Sequence, residues 1–256
     1  MRLASFDIEV AKIEIDKDKP FLEQGPLGIS IAALAFEQVD AGAIGPGIVT
    51  WESSPGVAAM TMDEAQIVVR ELMDAVARGY TILTWNGAAF DFAVLAEESA
   101  MYNECARLAM GHIDMMQMVV HKLYYYLGLD KAMIGAGLPS KLHRVTLNDG
   151  TILEDMSGAK APELWAAGER DAVRAYITQD VIGPLALARQ IDKSGVIRWT
   201  SNRGKPMRET VGMLATVAQL LRAPRPPYGG FPANPASTLQ ACSWMPKYII
   251  KEFANV

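Results

Sequence analysis

Phe6-Asp7-Ile8-Glu9-Val10 places two acids one residue apart in an otherwise apolar N-terminal stretch, Leu3 to Val10, whose composition predicts a strand. Side chains alternate along a strand, so Asp7 and Glu9 share one face while Phe6, Ile8 and Val10 share the other. Two carboxylates roughly 7 Å apart on one face repel each other. Either that face is an exposed strand edge or something positive lies between them, and hard divalent cations such as Mg²⁺ take carboxylate oxygens as ligands. The rest of the chain has to decide between these two.

The 256 residues suffice for one large domain or two small ones, and half of them are hydrophobic. No run approaches the roughly 18 apolar residues of a membrane span, and a strand opens the chain where a leader would carry basic residues. The expectation is a soluble, cytoplasmic protein. Cys105 and Cys242 show no CxxC spacing, and His112, His121 and His143 form no zinc pattern. The net charge of −5 has the wrong sign for holding nucleic acid by bulk electrostatics, so a phosphate-bearing substrate requires bound metal or a local basic surface.

Downstream, Lys12 to Gln24 reads as a loop or splayed hairpin, Leu27 to Phe36 as a second strand and Gly47 to Trp51 as a third, together an antiparallel meander. Thr61-Met62-Asp63-Glu64 fits a capping box before a helix with Val68, Leu72 and Val76 on one stripe, stopped by Gly79. Tyr80 to Trp85 is a strand, and the strand, helix, strand order implies parallel pairing. Asn86-Gly87 turns into a second helix with Asp91 in its first turn. Gly111 to Val120 reads as a further strand, and Tyr124-Tyr125-Tyr126 as helical core in preference to a stacking platform.

Asp130 to Ala161 is an irregular insertion containing a hairpin about Asn148-Asp149-Gly150. A long helix is predicted over Glu169 to Ile191, kinked at Pro184, whose ring clashes with the Asp180 carbonyl. Lys193 to Glu209 concentrates Lys193, Arg198, Arg203, Lys205 and Arg208. A last helix is predicted over Thr210 to Leu221. One domain over 1–221 and a Pro-rich tail over 222–256 packing on it complete the layout.

Tyr176 and Asp180, four apart, stack on one face of the long helix. Asp91 occupies a strand-to-helix junction, a usual place for functional residues at the carboxyl end of a parallel strand. Taken singly, Asp91 has a plain reading as a first-turn acid favoured by the helix dipole, and Tyr176 with Asp180 one as a solvated face. Together, Phe6-Asp7-Ile8-Glu9, Asn86-Gly87-Ala88-Ala89-Phe90-Asp91 and Tyr176-x-x-x-Asp180 resemble, in order and context, the three exonuclease motifs of the tyrosine-bearing (DEDDy) branch of the DEDD superfamily. The resemblance covers about residues 1 to 192. The Asn-Gly-x-x-Phe-Asp form and His112-Ile113-Asp114 are similar to the proofreading exonuclease domain of family B DNA polymerases. The residues left over are too few for a palm or fingers, so the likeness is to the stand-alone exonucleases related to that domain. Ser243-Trp244-Met245-Pro246 resembles them too.

That resemblance implies a ribonuclease H-like α/β fold, a mixed five-stranded sheet of three antiparallel and two parallel strands flanked by helices. It implies that Asp7, Glu9, Asp91 and Asp180 hold two Mg²⁺ or Mn²⁺ ions and that Tyr176 positions the attacking water. Such ions, about 4 Å apart, clamp the entering and leaving oxygens of a phosphodiester during in-line displacement. A phenol near pKa 10 suits the orienting role better than that of a base. The implied activity is 3′ to 5′ exonucleolysis of single-stranded DNA releasing nucleoside monophosphates, with RNA processing of the ribonuclease D kind as the alternative. A non-catalytic binding module on a degenerate nuclease fold is a reading from a different class, and a metabolic α/β enzyme lacks any GxGxxG or GxxxxGK[ST] loop.

Substrate contacts are expected from Ile8 and Val10 through their backbone, from Asn86, from Phe90 unless it is core, and from Arg198, Arg203 and Lys205 through phosphates. Two departures from the family pattern stand out: Val10 replaces a frequent threonine, and Pro184 lies one turn past Asp180. His112 and Asp114 are expected only to satisfy each other.

Overall fold

The computed structural model describes residues 1–16, 18–37 and 47–254. Its centre is a five-stranded sheet in the order β3-β2-β1-β4-β5, formed by β1 (Arg2–Val10), β2 (Ile29–Phe36), β3 (Gly47–Glu52), β4 (Tyr80–Thr84) and β5 (Ile113–Asp114). The first three strands are antiparallel neighbours, and β4 and β5 continue the sheet in parallel with β1. This is the mixed α/β arrangement that the ribonuclease H-like reading expects. Within Lys12 to Gln24, residue 17 lies outside the described residues, and the rest is irregular chain closing on a short 3-10 turn, Phe21–Gln24.

β1 is the middle strand and both its faces are covered, which removes the exposed-edge reading of Asp7 and Glu9. Its even residues Ala4, Phe6, Ile8 and Val10 pack into one hydrophobic cluster with α1 (Met62–Ala77), α2 (Asp91–Ser99) and α3 (Tyr102–Gly111). Its odd residues face α7 (Arg170–Ser194), where Leu3 joins the second cluster and Asp7 and Glu9 follow it toward the strand's carboxyl end. α7 is tied down along its length: Arg170 donates to the Ser53 carbonyl at 2.7 Å, Arg174 pairs with Glu52 at 2.7 Å, and Arg189 pairs with Glu37.

The predicted capping box forms in both directions, Glu64 N–H donating to Thr61 Oγ1 at 3.2 Å and Thr61 N–H to Glu64 Oε2 at 2.7 Å. The buried stripe of α1 runs through Val68, Leu72 and Ala75, and Val76, one residue further round the helix, is exposed. Gly111 to Val120 is not one strand. Only Ile113 and Asp114 pair with β4, and α4 (Met115–Leu123) follows, because the Asp114 carboxylate caps its start by accepting from the Met116 and Gln117 N–H groups.

Tyr124-Tyr125-Tyr126 is not helical core either. Tyr124 sits at φ 63° and ends α4, and Tyr126 is half exposed. The basic stretch Lys193 to Glu209 folds largely as a hairpin of β8 (Val196–Thr200) and β9 (Pro206–Thr210), and the helix predicted over Thr210 to Leu221 forms only as α8 (Val217–Arg222), because the Thr216/Gln219 capping box sets its start. The hairpin predicted about Asn148 is present as β6 (Val145–Thr146) and β7 (Ile152–Leu153). α7 runs through Pro184, with helix on both sides of it.

Residues 223–237 are irregular, and α9 (Thr238–Ala241) and α10 (Lys247–Ala254) follow. Cys242, Met245 and Ile249 are buried in the first cluster, and a two-pronged Arg107–Glu252 pair at 2.7 and 3.0 Å ties α10 to α3. Among the described residues no helix is long and apolar enough to cross a membrane.

α5 (Leu129–Gly135) is wedged between α7 and β8, and two glycines allow the approach. A Cβ on Gly183 of α7 meets the end of the Met133 side chain at 2.5 Å, whereas a Cβ on Gly135 meets the Trp199 Cα at 2.2 Å. A methionine tip can move and a strand backbone cannot. Gly135→Ala is therefore expected to cost about 1–3 kcal/mol through displacement of the hairpin, read as a lower denaturant midpoint. An unchanged midpoint contradicts this packing.

Candidate active site

Asp7 and Glu9 leave the middle strand on the face that α7 covers, and Asp180 on α7 comes down onto them. One oxygen from each of Asp7, Glu9 and Asp180 lies within 4.8 Å of the others. Opposite Asp7 on β2 stands Ala33, whose small side chain leaves the space the carboxylates occupy. The β1–β2 register shifts between Glu9 and Val10, and the Ser30 hydroxyl donates to the Glu9 carbonyl at 3.0 Å, so the strand bends just where the second acid projects.

Asp91 arrives from the other side, at the start of α2. Its Oδ1 accepts from the Ile8 N–H at 3.1 Å, which fixes it to the backbone between the two acids of β1. The turn leading to it is clamped from two directions. Asp114 accepts from the Asn86 N–H at 2.9 Å and the Ala88 N–H at 3.0 Å, and the Trp244 indole donates to the Ala88 carbonyl at 2.8 Å. Asn86 adopts φ 75°, a backbone region rarely taken by residues other than glycine, and these bonds hold it there.

The electrostatics follow from burial. Loss of water raises the pKa of Asp7 well above its ordinary value, and Asp91, Asp180 and Glu9 add to the rise by repulsion. Glu9 is raised well above its ordinary value by burial and then by Asp180. Burial lifts Asp91 to about 7, and Asp180 is raised by burial against the pull of Lys141. The Lys141 ammonium sits 2.6 Å from Asp180 Oδ2 and 5.1 Å from the centre of the Tyr176 ring. Burial pushes its pKa down, but Asp180, Tyr176 and Asp7 outweigh that and hold it charged. Tyr176, 3% exposed, is raised by burial and by Asp180, so its phenol keeps its proton.

A single ammonium does not balance this cluster. Asp180 Oδ1 is buried and has no hydrogen-bond partner, a costly state for a carboxylate oxygen unless a cation takes it. The donor set is all oxygen, the preference of Mg²⁺ and Mn²⁺. Asp7, Glu9 and Asp180, with Asp91 beside Asp7, therefore fit a hard divalent cation.

Of the residues singled out in the sequence, Asp7, Glu9, Asp91, Tyr176 and Asp180 meet in this pocket. Ile8 and Val10 line an adjoining cavity of about 440 Å³ with Glu9, Phe90, Gly158 and Pro162. The Ile8 N–H is engaged with Asp91. Phe90 is half-buried against the first cluster, and the Asn86 side-chain oxygen is buried without a partner. Arg198, Arg203 and Lys205 lie on the β8–β9 hairpin and form no ion pair with the pocket.

Four contributors were not assigned from sequence. Lys141 lies in irregular chain without a motif. Asp114 and His112 approach as expected, to 4.0 Å, but the hydrogen bonds of His112 go to Thr84 at 3.0 Å and Ala109 at 2.6 Å, and those of Asp114 to backbone N–H groups. Trp244 comes from the far end of the chain. Gly158 keeps the wall thin: a Cβ there lies 3.6 Å from Glu9 Oε2 and 4.0 Å from the Tyr176 hydroxyl. No family model and no curated protein matches the chain.

The raised carboxyls set a pH dependence. Asp91 titrates near 7 when folded and about 3.9 when unfolded, so the stability it contributes is complete below the unfolded value and lost as pH rises through 7. Asp7 and Glu9 act in the same sense. His112, buried and lowered to about 4, acts oppositely, but only below its unfolded value of about 6.5. In a chelator, the melting temperature is expected to fall between pH 6.5 and 8.0, and saturating Mg²⁺ or Mn²⁺ to abolish the fall. Equal pH profiles with and without cation contradict the account.

Proposed function

We propose that the protein is a metal-dependent 3′ to 5′ exonuclease that hydrolyses the terminal phosphodiester of single-stranded DNA and releases nucleoside monophosphates, a member by resemblance of the tyrosine-bearing DEDD branch. The observation that carries the proposal is the three-carboxylate cluster of Asp7, Glu9 and Asp180, within 4.8 Å and with a buried Asp180 oxygen lacking a partner. Asp91 and Tyr176 complete it.

Asp7, Glu9, Asp91 and Asp180 would hold the divalent ions, which when bound would supply Lewis-acid stabilisation of the entering and leaving oxygens. The chain's own residues do the rest. Asp7 and Glu9 present their oxygens from one rigid strand, Asp180 closes over them from α7, and Asp91 is oriented by the Ile8 N–H. Because its phenol stays protonated, Tyr176 acts as a hydrogen-bond donor or acceptor that orients the nucleophilic water, and proton abstraction is not its task. Lys141 holds a fixed positive charge against Asp180.

The 440 Å³ cavity beside Glu9 receives the terminal nucleoside. Its walls of Ile8, Val10, Phe90 and Pro162 are apolar and suit a base bound by its faces, without reading its hydrogen-bonding edge. Val10 in place of a hydroxyl-bearing residue is consistent with that reading.

The test is a 5′-labelled oligonucleotide, as DNA and as RNA of the same sequence, incubated with Mg²⁺ or Mn²⁺. A ladder of shortened DNA products is expected. Asp7→Ala is expected to abolish it, and Tyr176→Phe to lower kcat by about 10²-fold with little change in KM. Absence of any ladder in both metals, or a full ladder from Asp7→Ala, overturns the proposal, and a ladder from RNA alone moves the substrate to RNA.

A further inference from the structure

A second groove, of about 580 Å³, lies between the turn after α4, the β8–β9 hairpin and the residues before α9. Tyr125, Tyr126, Lys131, Trp199, Arg208 and Phe231 are among its walls. Tyr126 is 52% exposed and Phe231 77%, so two aromatic rings stand open at its edge, and Tyr125 meets Trp199 edge-on at 6.4 Å inside it. Glu209 is the one carboxylate among the lining residues.

The hairpin that forms one wall carries a charge pattern the fold does not explain. Arg198 on β8 stands directly opposite Arg208 on β9. Like charges facing across a two-stranded ladder are unfavourable. Among the described residues neither arginine, nor Arg203 or Lys205 in the connecting turn, has a carboxylate in ion-pair range, whereas Arg78, Arg107, Arg144, Arg174 and Arg189 all do. In a chain of net charge −5, four neighbouring cations without counter-charges form a local positive face suited to phosphates.

The groove is joined to the acidic pocket by short, direct links. Lys141, 2.6 Å from Asp180, has its own N–H on Asp130 at 2.8 Å, and the next residue, Lys131, spans the groove wall to Asn202 at 2.6 Å. On the other side, Trp85, which precedes the Asn86 turn, donates to the Leu127 carbonyl at 3.0 Å, one residue from Tyr126.

We propose that this groove binds the single-stranded segment lying 5′ of the scissile end, with bases stacked on Tyr126 and Phe231 and phosphates held by Lys131 and Arg208, which line it. This rests on the exonuclease reading for the identity of the strand. Open aromatic rings beside unpaired cations are the combination that holds single strands without reading sequence, and an acidic peptide would use the cations while leaving the rings idle.

The experiment is fluorescence anisotropy of labelled oligothymidylates of two to sixteen nucleotides with the full-length protein in EDTA, where no cleavage occurs. Affinity is expected to rise with length until the groove is spanned. Tyr126→Ala and Phe231→Ala are each expected to weaken the longest oligonucleotide about fivefold or more, and Lys131→Ala/Arg208→Ala to flatten the salt dependence by about 1.4 in log–log slope. Binding of the dinucleotide is expected to be unchanged in all of them. Tyr126→Phe, which keeps the ring, is expected to retain affinity. Undiminished binding of the long oligonucleotide in the ring and charge variants, or competition by polyglutamate as effective as by oligothymidylate, overturns the groove proposal. Because the readout needs no hydrolysis, a protein that binds through the groove but makes no ladder separates failure of the nuclease reading from failure of this one.

Discussion

Four carboxyl groups packed out of water against one another are an unfavourable arrangement, and much of the molecule is organised to impose it. Each of Asp7, Glu9, Asp91 and Asp180 has its pKa raised, burial being the largest cause in every case. The cost is borne by the hydrophobic clusters on the two faces of the sheet, which fix β1 in the middle and press α7 onto it. One lysine offsets part of the charge. The remainder is the electrostatic cost that a bound cation, as proposed, would relieve.

Remote parts of the chain converge on keeping the acids in place. Asp114 at the end of β5 and Trp244 after α9 hold opposite sides of the same residue, Ala88, three positions before Asp91. The C-terminal segment thus reaches the site through a backbone bond as well as covering the first cluster. The described residues of the tail separable on composition, 222–254, share their buried surface with α3 and α8.

Much of this was legible in the chain because it rests on local periodicity. Alternation about Asp7 and Glu9, the Thr61/Glu64 box, the four-residue spacing of Tyr176 and Asp180 and the Asn86-Gly87 turn are all written in neighbouring residues. What was not legible depends on contacts far apart in sequence. Lys141 has no motif, and only the fold carries it to Asp180. The apolar run from Gly111 was read as strand because runs of that length do not separate strand from helix by periodicity. There the Asp114 cap decided for helix after two paired residues. Tyr124-Tyr125-Tyr126 looked like core by composition, yet Arg225, lying 3.8 Å over the Tyr124 ring and bonded to the Val120 carbonyl, shows the chain leaving the helix at that point.

The central claim is that strand β1 and helix α7 bring their acids together to hold divalent cations. Anomalous diffraction from crystals of the protein soaked in Mn²⁺ tests it most directly. The account predicts a peak bounded by oxygens of Asp7, Glu9 and Asp180, with Lys141 drawn away from Asp180 or sharing its second oxygen. Crystals saturated with Mn²⁺ that show no peak among these side chains, with Lys141 still the sole cation against them, would contradict it.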